Sequence, residues 1–216
     1  MHPTTGVLLK IGAGLIGTTL CLILFWKFWF LRDPERMIPS GDLIVSPADG
    51  RIMSIEKFDI SKGETTSIPK GMFGAIETSL TEVGSAGYII SIFMSPLDVH
   101  INRSPIAGTI LSQTHTPGTF HPANRWPESF LENEKNEFLI QGEHITVKVI
   151  QIAGFLARRI QSLVQTGHHV TKGERIGLIN LGSQCVLILP QEHIVLNLRI
   201  GDRVSAGSSI IATIEP

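Results

Sequence analysis

Gly167-His168-His169-Val170-Thr171-Lys172-Gly173-Glu174-Arg175-Ile176-Gly177 is repeated in outline by Gly201-Asp202-Arg203-Val204-Ser205-Ala206-Gly207-Ser208-Ser209-Ile210-Ile211. The shared form is G-x-x-V-x-x-G-x-x-I. Each glycine marks a turn and each Val or Ile enters a strand, so the two copies predict a pair of hairpin-like units in a compact barrel. The apolar runs upstream are also short and punctuated. Asp42–Val45 stops at Pro47, Arg51–Ile55 alternates, and Tyr88–Met94 is a buried-strand run. Thr109–Leu111, Phe138–Ile140 and Ile145–Ile152 follow, and 157–164 reads equally as strand or short helix. Segments 61–72 and 112–136 are polar and contain Pro and Gly, and are expected to be covering loops.

Composition narrows the function. The chain has 216 residues, a net charge of −1 and only 17 % charged residues, so no basic surface argues for nucleic acid. Two cysteines, Cys21 and Cys185, give neither a disulfide framework nor a zinc pattern. The vicinal pair His168-His169 does not place both rings on one ion, and no HExxH or acidic cluster is present, so no metal site is expected.

Ile11 to Trp26 carries no charge, with Lys10 before it and Lys27 after. Trp26 and Trp29 suit a membrane interface, and Lys27 can snorkel. We read residues 1–32 as a membrane anchor and 33–216 as the main domain. The anchor either spans or dips as a hairpin, because Gly12, Gly14 and Gly17 weaken a straight helix. Lys27, Arg32 and Arg36 slightly outweigh the charge on the other side, which expects the main domain on the cytoplasmic face of the cell membrane. Gly12-Ala13-Gly14-Leu15-Ile16-Gly17 matches G-x-G-x-x-G, but the tryptophan-rich run that follows is not the helix, second strand and acidic residue of a dinucleotide fold. A secretory signal would need small residues where Phe-Trp-Lys-Phe-Trp stands.

Four segments then fall in order: Ser46-Pro47-Ala48-Asp49-Gly50, Met94-Ser95-Pro96-Leu97-Asp98-Val99-His100-Ile101-Asn102-Arg103, Gln151-Ile152-Ala153-Gly154-Phe155-Leu156-Ala157-Arg158-Arg159, and Leu181-Gly182-Ser183. This order resembles the short form of the phosphatidylserine decarboxylase family, from about Arg32 to the C-terminus. The repeat in turn resembles the hammerhead of biotinyl and lipoyl domains, without the Met-Lys-Met turn of a carrier. The fold expected is mostly β (α+β).

The family resemblance implies a self-processing proenzyme. Ser183 Oγ attacks the carbonyl of Gly182, and elimination cuts the chain between 182 and 183. Ser183 is left as a covalent pyruvoyl cofactor. That ketone forms a Schiff base with a membrane lipid substrate and is the electron sink when CO₂ leaves a serine headgroup. The large and small pieces would stay together as a heterodimer, and a homo-oligomer is left open. An archaeal ether-linked serine lipid is an alternative substrate; a membrane-tethered lipoyl-like binding module is the non-enzymatic alternative.

The resemblance also assigns roles. Asp49 orients a base during self-cleavage, and His100 serves the decarboxylation half. One of Arg158 and Arg159, or Arg103, contacts the headgroup phosphate. The longer family form has a second histidine where Arg103 stands. Arginine stays protonated and cannot be that base. Three alternatives remain: His100 serves both steps, Asp49 acts directly, or another histidine such as His121 reaches in.

Overall fold

The computed structural model describes residues 3–60, 67–69, 75–118, 134–154, 159–180 and 183–215. The chain opens with helix α1 (Pro3–Leu24), which runs on without reversal into a π-helical turn, Phe25–Phe30. Lys10–Phe30 is a 21-residue stretch apolar enough to cross a membrane. At ~1.5 Å per residue it is about 32 Å long, against a hydrocarbon core of roughly 30 Å. Gly12, Gly14 and Gly17 have no neighbour near their Cα positions, and the hydroxyls of Thr18 and Thr19 donate to the carbonyls of Gly14 and Leu15. A helix whose polar groups are all satisfied within itself is the form that lipid tolerates.

The main domain is built from short strands: β1 (Leu43–Val45), β2 (Gly50–Asp59), β3 (Ser67–Pro69), β4 (Ala75–Glu77), β5 (Ala86–Met94), β6 (Ile101–Arg103), β7 (Gly108–Thr116) and β8 (Lys135–Gln141). Then come β9 (Thr146–Ile152), β10 (Ile160–Ser162), β11 (His169–Val170), β12 (Arg175–Ile179), β13 (Ser183–Pro190), β14 (Ile194–Leu196), β15 (Arg203–Val204) and β16 (Ile210–Ile214). The main sheet has eight strands in the order β11-β7-β8-β9-β13-β5-β2-β15 and curls into a half-barrel. Two three-stranded sheets, β1-β16-β14 and β10-β12-β6, accompany it, and β3 pairs with β4.

Alternation along β5 sends Ile90, Ile92 and Met94 into the main core with Ile52, Phe138, Val149, Cys185 and Leu187. Ile89 faces the other way, into a second core with Phe58, Leu80, Val83 and Ile188. Burial of consecutive residues from Ile89 to Ile92, on both faces of the strand, explains why Tyr88–Met94 is apolar at every position but Ser91. The same burial pushes the Cys185 thiol well above its ordinary pKa.

Two expectations are corrected. Segments 112–116 and 135–136 are not loop but the ends of β7 and β8, whose His115↔Asn136 and Thr116↔Lys135 pairs extend the hairpin. Thr114–Thr116 are exposed while Asn136 opposite them is buried by amide pairing, and neither arrangement leaves a hydrophobic alternation to read. The repeat copies are also not hairpins. In the first copy β11 pairs with β7 while β12 pairs with β6 and β10. In the second, β15 pairs with β2 while β16 pairs with β1 and β14.

The two copies nevertheless occupy matching places. Gly167 N donates to Ile110 O and Gly201 N to Ile52 O, both at 2.8 Å; Gly173 N donates to Ser104 O and Gly207 N to Ser46 O, also both at 2.8 Å. Their partners thus form a second internal repeat, Ser46-Pro47-Ala48-Asp49-Gly50 and Ser104-Pro105-Ile106-Ala107-Gly108. In each, the serine Oγ donates to the carbonyl two residues on, at 2.7 and 2.6 Å. Gly173 and Gly207 meet at the centre with φ of +81° and +76°, pressed against Ile38.

Candidate active site

The last residue of β5, Met94, leads into a tight turn. Asp98 Oδ2 accepts from Ser95 N at 2.8 Å and from Ser95 Oγ at 2.6 Å, while Asp98 N donates to Ser95 O at 2.9 Å. This side-chain turn reverses the chain and delivers His100 inward. His100 is fully buried. Its Nδ1 lies 2.9 Å from Asp98 O. A carbonyl can only accept, so Nδ1 carries the hydrogen and Nε2 holds the lone pair of the neutral ring. Nε2 is buried without a hydrogen-bond partner among the described residues. Burial is the main reason the pKa falls from 6.5 to about 4; the Asp98 carbonyl and carboxylate oppose it, and the Arg32 charge adds to it. The ring is therefore a neutral base at pH 7.

Backbone pairing brings Ile179 and Ser183 to the same segment. Ile179 N donates to His100 O at 3.2 Å and Asn180 N to Arg159 O at 3.1 Å. Three residues later Ser183 pairs with Met94 as the first residue of β13. The chain between Ile179 and Ser183 is thus pinned at both ends to the segment from Met94 to His100. Gly182 itself lies outside the described residues.

Asp49 reaches the same end of the sheet through Gly50, whose extra Cβ would collide with Phe93 O, beside Met94. Its carboxylate binds Arg36 Nη2 at 2.9 and 2.8 Å and accepts from Ala206 N at 2.7 Å. Among the described residues no hydrogen bond joins it to His100. Ala107 holds the matching position in the second copy, so a turn of this form closes without a carboxylate. The aspartate is an addition to the frame, not part of it.

Arg103 is buried, and its guanidinium is taken up by the chain itself: Nη1 donates to Gly173 O at 2.9 Å and Nη2 to Asp33 Oδ1 at 2.7 Å. It faces the segment leaving the anchor, not an open surface. Arg159 is exposed beside Asn180. Arg158 and His121 lie outside the described residues. Of the other histidines, His115 is paired with Glu134 at 2.9 Å and His168 with Glu174 at 3.0 Å, both near the surface.

Two features were missed in sequence. One is a buried amide chain: Gln113 Nε2 donates to Asn136 Oδ1, Asn136 Nδ2 to Gln151 Oε1, Gln151 Nε2 to Asn102 Oδ1, and Asn102 Nδ2 to Pro47 O. It ties β7, β8, β9 and β6 to the Asp49 turn. Its signal was a glutamine inside the apolar run Ile145–Ile152. The other is the segment from Phe30 to Ile38, which crosses the site. Its charges read only as membrane-flanking charges.

The sequence profile of the phosphatidylserine decarboxylase family matches residues 24–212. A protein from Methanothermobacter thermautotrophicus, named as a candidate archaetidylserine decarboxylase proenzyme, is 39% identical over 96% of this chain and 89% of its own. A phosphatidylserine decarboxylase proenzyme from Solibacter usitatus is 40% identical over 92% of this chain and 83% of its own. One from Symbiobacterium thermophilum is 38% identical over 91% and 82%. The chain belongs to the phosphatidylserine decarboxylase family, whose members are carboxy-lyases.

Proposed function

We propose that the chain is a self-processing, pyruvoyl-dependent decarboxylase that converts a phosphatidylserine-type lipid to its ethanolamine form. The observation that carries the reading is the buried lone pair of His100 Nε2 on a segment, Met94 to His100, to which the backbones of Ile179 and Ser183 are both paired. That orphaned nitrogen fits a reaction centre, since a purely structural histidine would be satisfied at both ring nitrogens.

His100 then serves both halves of the chemistry, because Arg103 offers no second base. In maturation Nε2 takes the proton of the Ser183 hydroxyl as Oγ attacks the carbonyl of Gly182; the bond from that carbonyl carbon to Ser183 N then breaks, the nitrogen takes up the proton, and the amide has become an ester. Breaking the Cα–H and Cβ–Oγ bonds of residue 183 frees a carboxylate at Gly182, and hydrolysis with loss of ammonia leaves the keto cap. When bound to substrate, the pyruvoyl group supplies the electron sink. Nε2 takes a proton from the substrate ammonium, which must be neutral to react, and returns it to the carbon that CO₂ leaves. Asp49 positions the site by holding Arg36 and the amide of Ala206. One of Arg158 and Arg159 offers a guanidinium fork to the phosphodiester; Arg159 is the one whose exposed place beside Asn180 supports this.

The anchor holds the domain at the surface where the substrate lies, and the charge bias of Lys27, Arg32 and Arg36 supports a cytoplasmic active site. The archaeal ether lipid presents the same headgroup, so both lipids are assayed. Intact mass and a denaturing gel test the reading. Two chains split before Ser183 are expected, the smaller reacting with a hydrazine probe through its ketone. Ser183→Ala is expected to remain one inactive chain. Active material that is a single chain with a free amine at every N-terminus sinks the reading.

A further inference from the structure

We propose that Phe30 is a positioning residue of the active site: the last turn of the membrane anchor is the roof over His100, so the anchor is part of the site as well as a tether. The inference rests on the role given to His100 above.

Position 30 is the odd one out at the end of the anchor. Phe28 is 67% exposed and Trp29 48%, as expected for side chains meeting lipid, while Phe30 is completely buried. Its ring lies on the imidazole of His100 with centroids 4.1 Å apart and planes tilted by 32°. Behind it Trp26 stacks at 4.5 Å and 9°. The π-helical turn Phe25–Phe30 ends on the residue that makes this contact, and such turns recur at functional sites.

The roof is fastened on its far side. Arg32 Nη2 donates to Leu97 O at 2.6 Å, on the turn that carries His100. Asp33 accepts from Arg103 and Arg175, and Arg36 holds both oxygens of Asp49. These contacts join the strap to the His100 turn, to β6 and β12, and to the Asp49 turn. The charged groups acting on the imidazole are Asp98, on its own turn, and Arg32, on the strap. An apolar ring over the imidazole excludes the water that would stabilise its cation, which keeps the Nε2 lone pair available. The packing of Phe30 on the ring therefore helps to set the state of the base.

The test uses the full-length Ser183→Ala chain in lipid nanodiscs, with diethyl pyrocarbonate modification at pH 7 mapped by mass spectrometry. His100 is expected to be protected while exposed His168 reacts. Phe30→Ala is expected to bring His100 to the reactivity of His168, and Phe30→Leu to restore protection. Should Phe30→Ala fail to fold, Arg32→Gln, which releases the strap from Leu97, is expected to expose His100 instead. In the self-processing chain, Phe30→Ala is expected to lower kcat about tenfold with KM little changed and to move the acid limb of the pH profile upward, with Phe30→Leu recovering most of the loss. Equal protection of His100 in every folded variant, or an unmoved acid limb, overturns the roof. If His100→Ala matures and turns over normally, the role of His100 falls instead, and the labelling difference still reports on the roof.

Discussion

Because the bond from His100 Nδ1 to Asp98 O fixes the tautomer, and burial disfavours the cation, the ring is an uncharged acceptor at pH 7. The same burial couples it to stability. An unfolded histidine binds a proton below about 6.5, while the folded ring resists until about 4. Between those values the unfolded chain binds more protons, so stability falls as pH drops through the window. Thermal melts of the Ser183→Ala chain are expected to show this slope, and His100→Asn to flatten it. Asp49→Asn keeps an oxygen for Ala206 N but removes the charge facing Arg36. We expect scission slowed by at least about tenfold on a gel time course, with a stability loss of about 1–3 kcal/mol. At this scale the sequence was legible as to place: the motifs carrying Ser183, His100 and Asp49 come to one end of the sheet, while the chemistry given to each is a proposal. Arg103 was less legible, since nothing in its neighbours announces that Asp33, 70 residues away, closes on its fork. Phe30 was hidden because a buried phenylalanine and a lipid-facing one look alike in an apolar run.

Elements follow the same logic. The central strands were readable because burial on both faces leaves long apolar runs, and the repeat glycines because two turns demanded them. The ends of β7 and β8 were not readable, since their pairing depends on backbone hydrogen bonds that any polar residue can make. Nor did the repeat reveal that its strands pair with distant partners, because register is set by tertiary packing. Gly173 and Gly207 sharpen the point. Both have left-handed backbones and both lack room for a Cβ beside Ile38. Gly173→Ala is expected to cost about 1–2 kcal/mol for the backbone alone, plus the clash. Ile38→Ala is expected to relieve the clash but not the backbone part, a difference that a double-mutant cycle on denaturation midpoints measures.

At the scale of the molecule, anchor and sheet are one construction joined by the strap from Phe30 to Ile38. Trp26 and Trp29 stand at the joint, so bromine-bearing lipids are expected to quench a large part of the tryptophan emission of the full chain in vesicles. No quenching would place the joint away from the bilayer.

The position of β13 has a final consequence. It lies between β9 and β5 in the middle of the eight-stranded sheet and begins at Ser183. A cut before Ser183 therefore leaves the short fragment supplying an interior strand of a sheet otherwise made by the long one, together with β14, β15 and β16. Halves made by such a cut would be interleaved and would not drift apart, yet once melted they would have to find each other by diffusion. Recovery of the cut molecule after denaturation would depend on dilution, whereas the uncut precursor would refold at any concentration low enough to avoid aggregation. On that reading folding would come first and the break second, and the cut enzyme would keep its shape as an inheritance it could not readily rebuild.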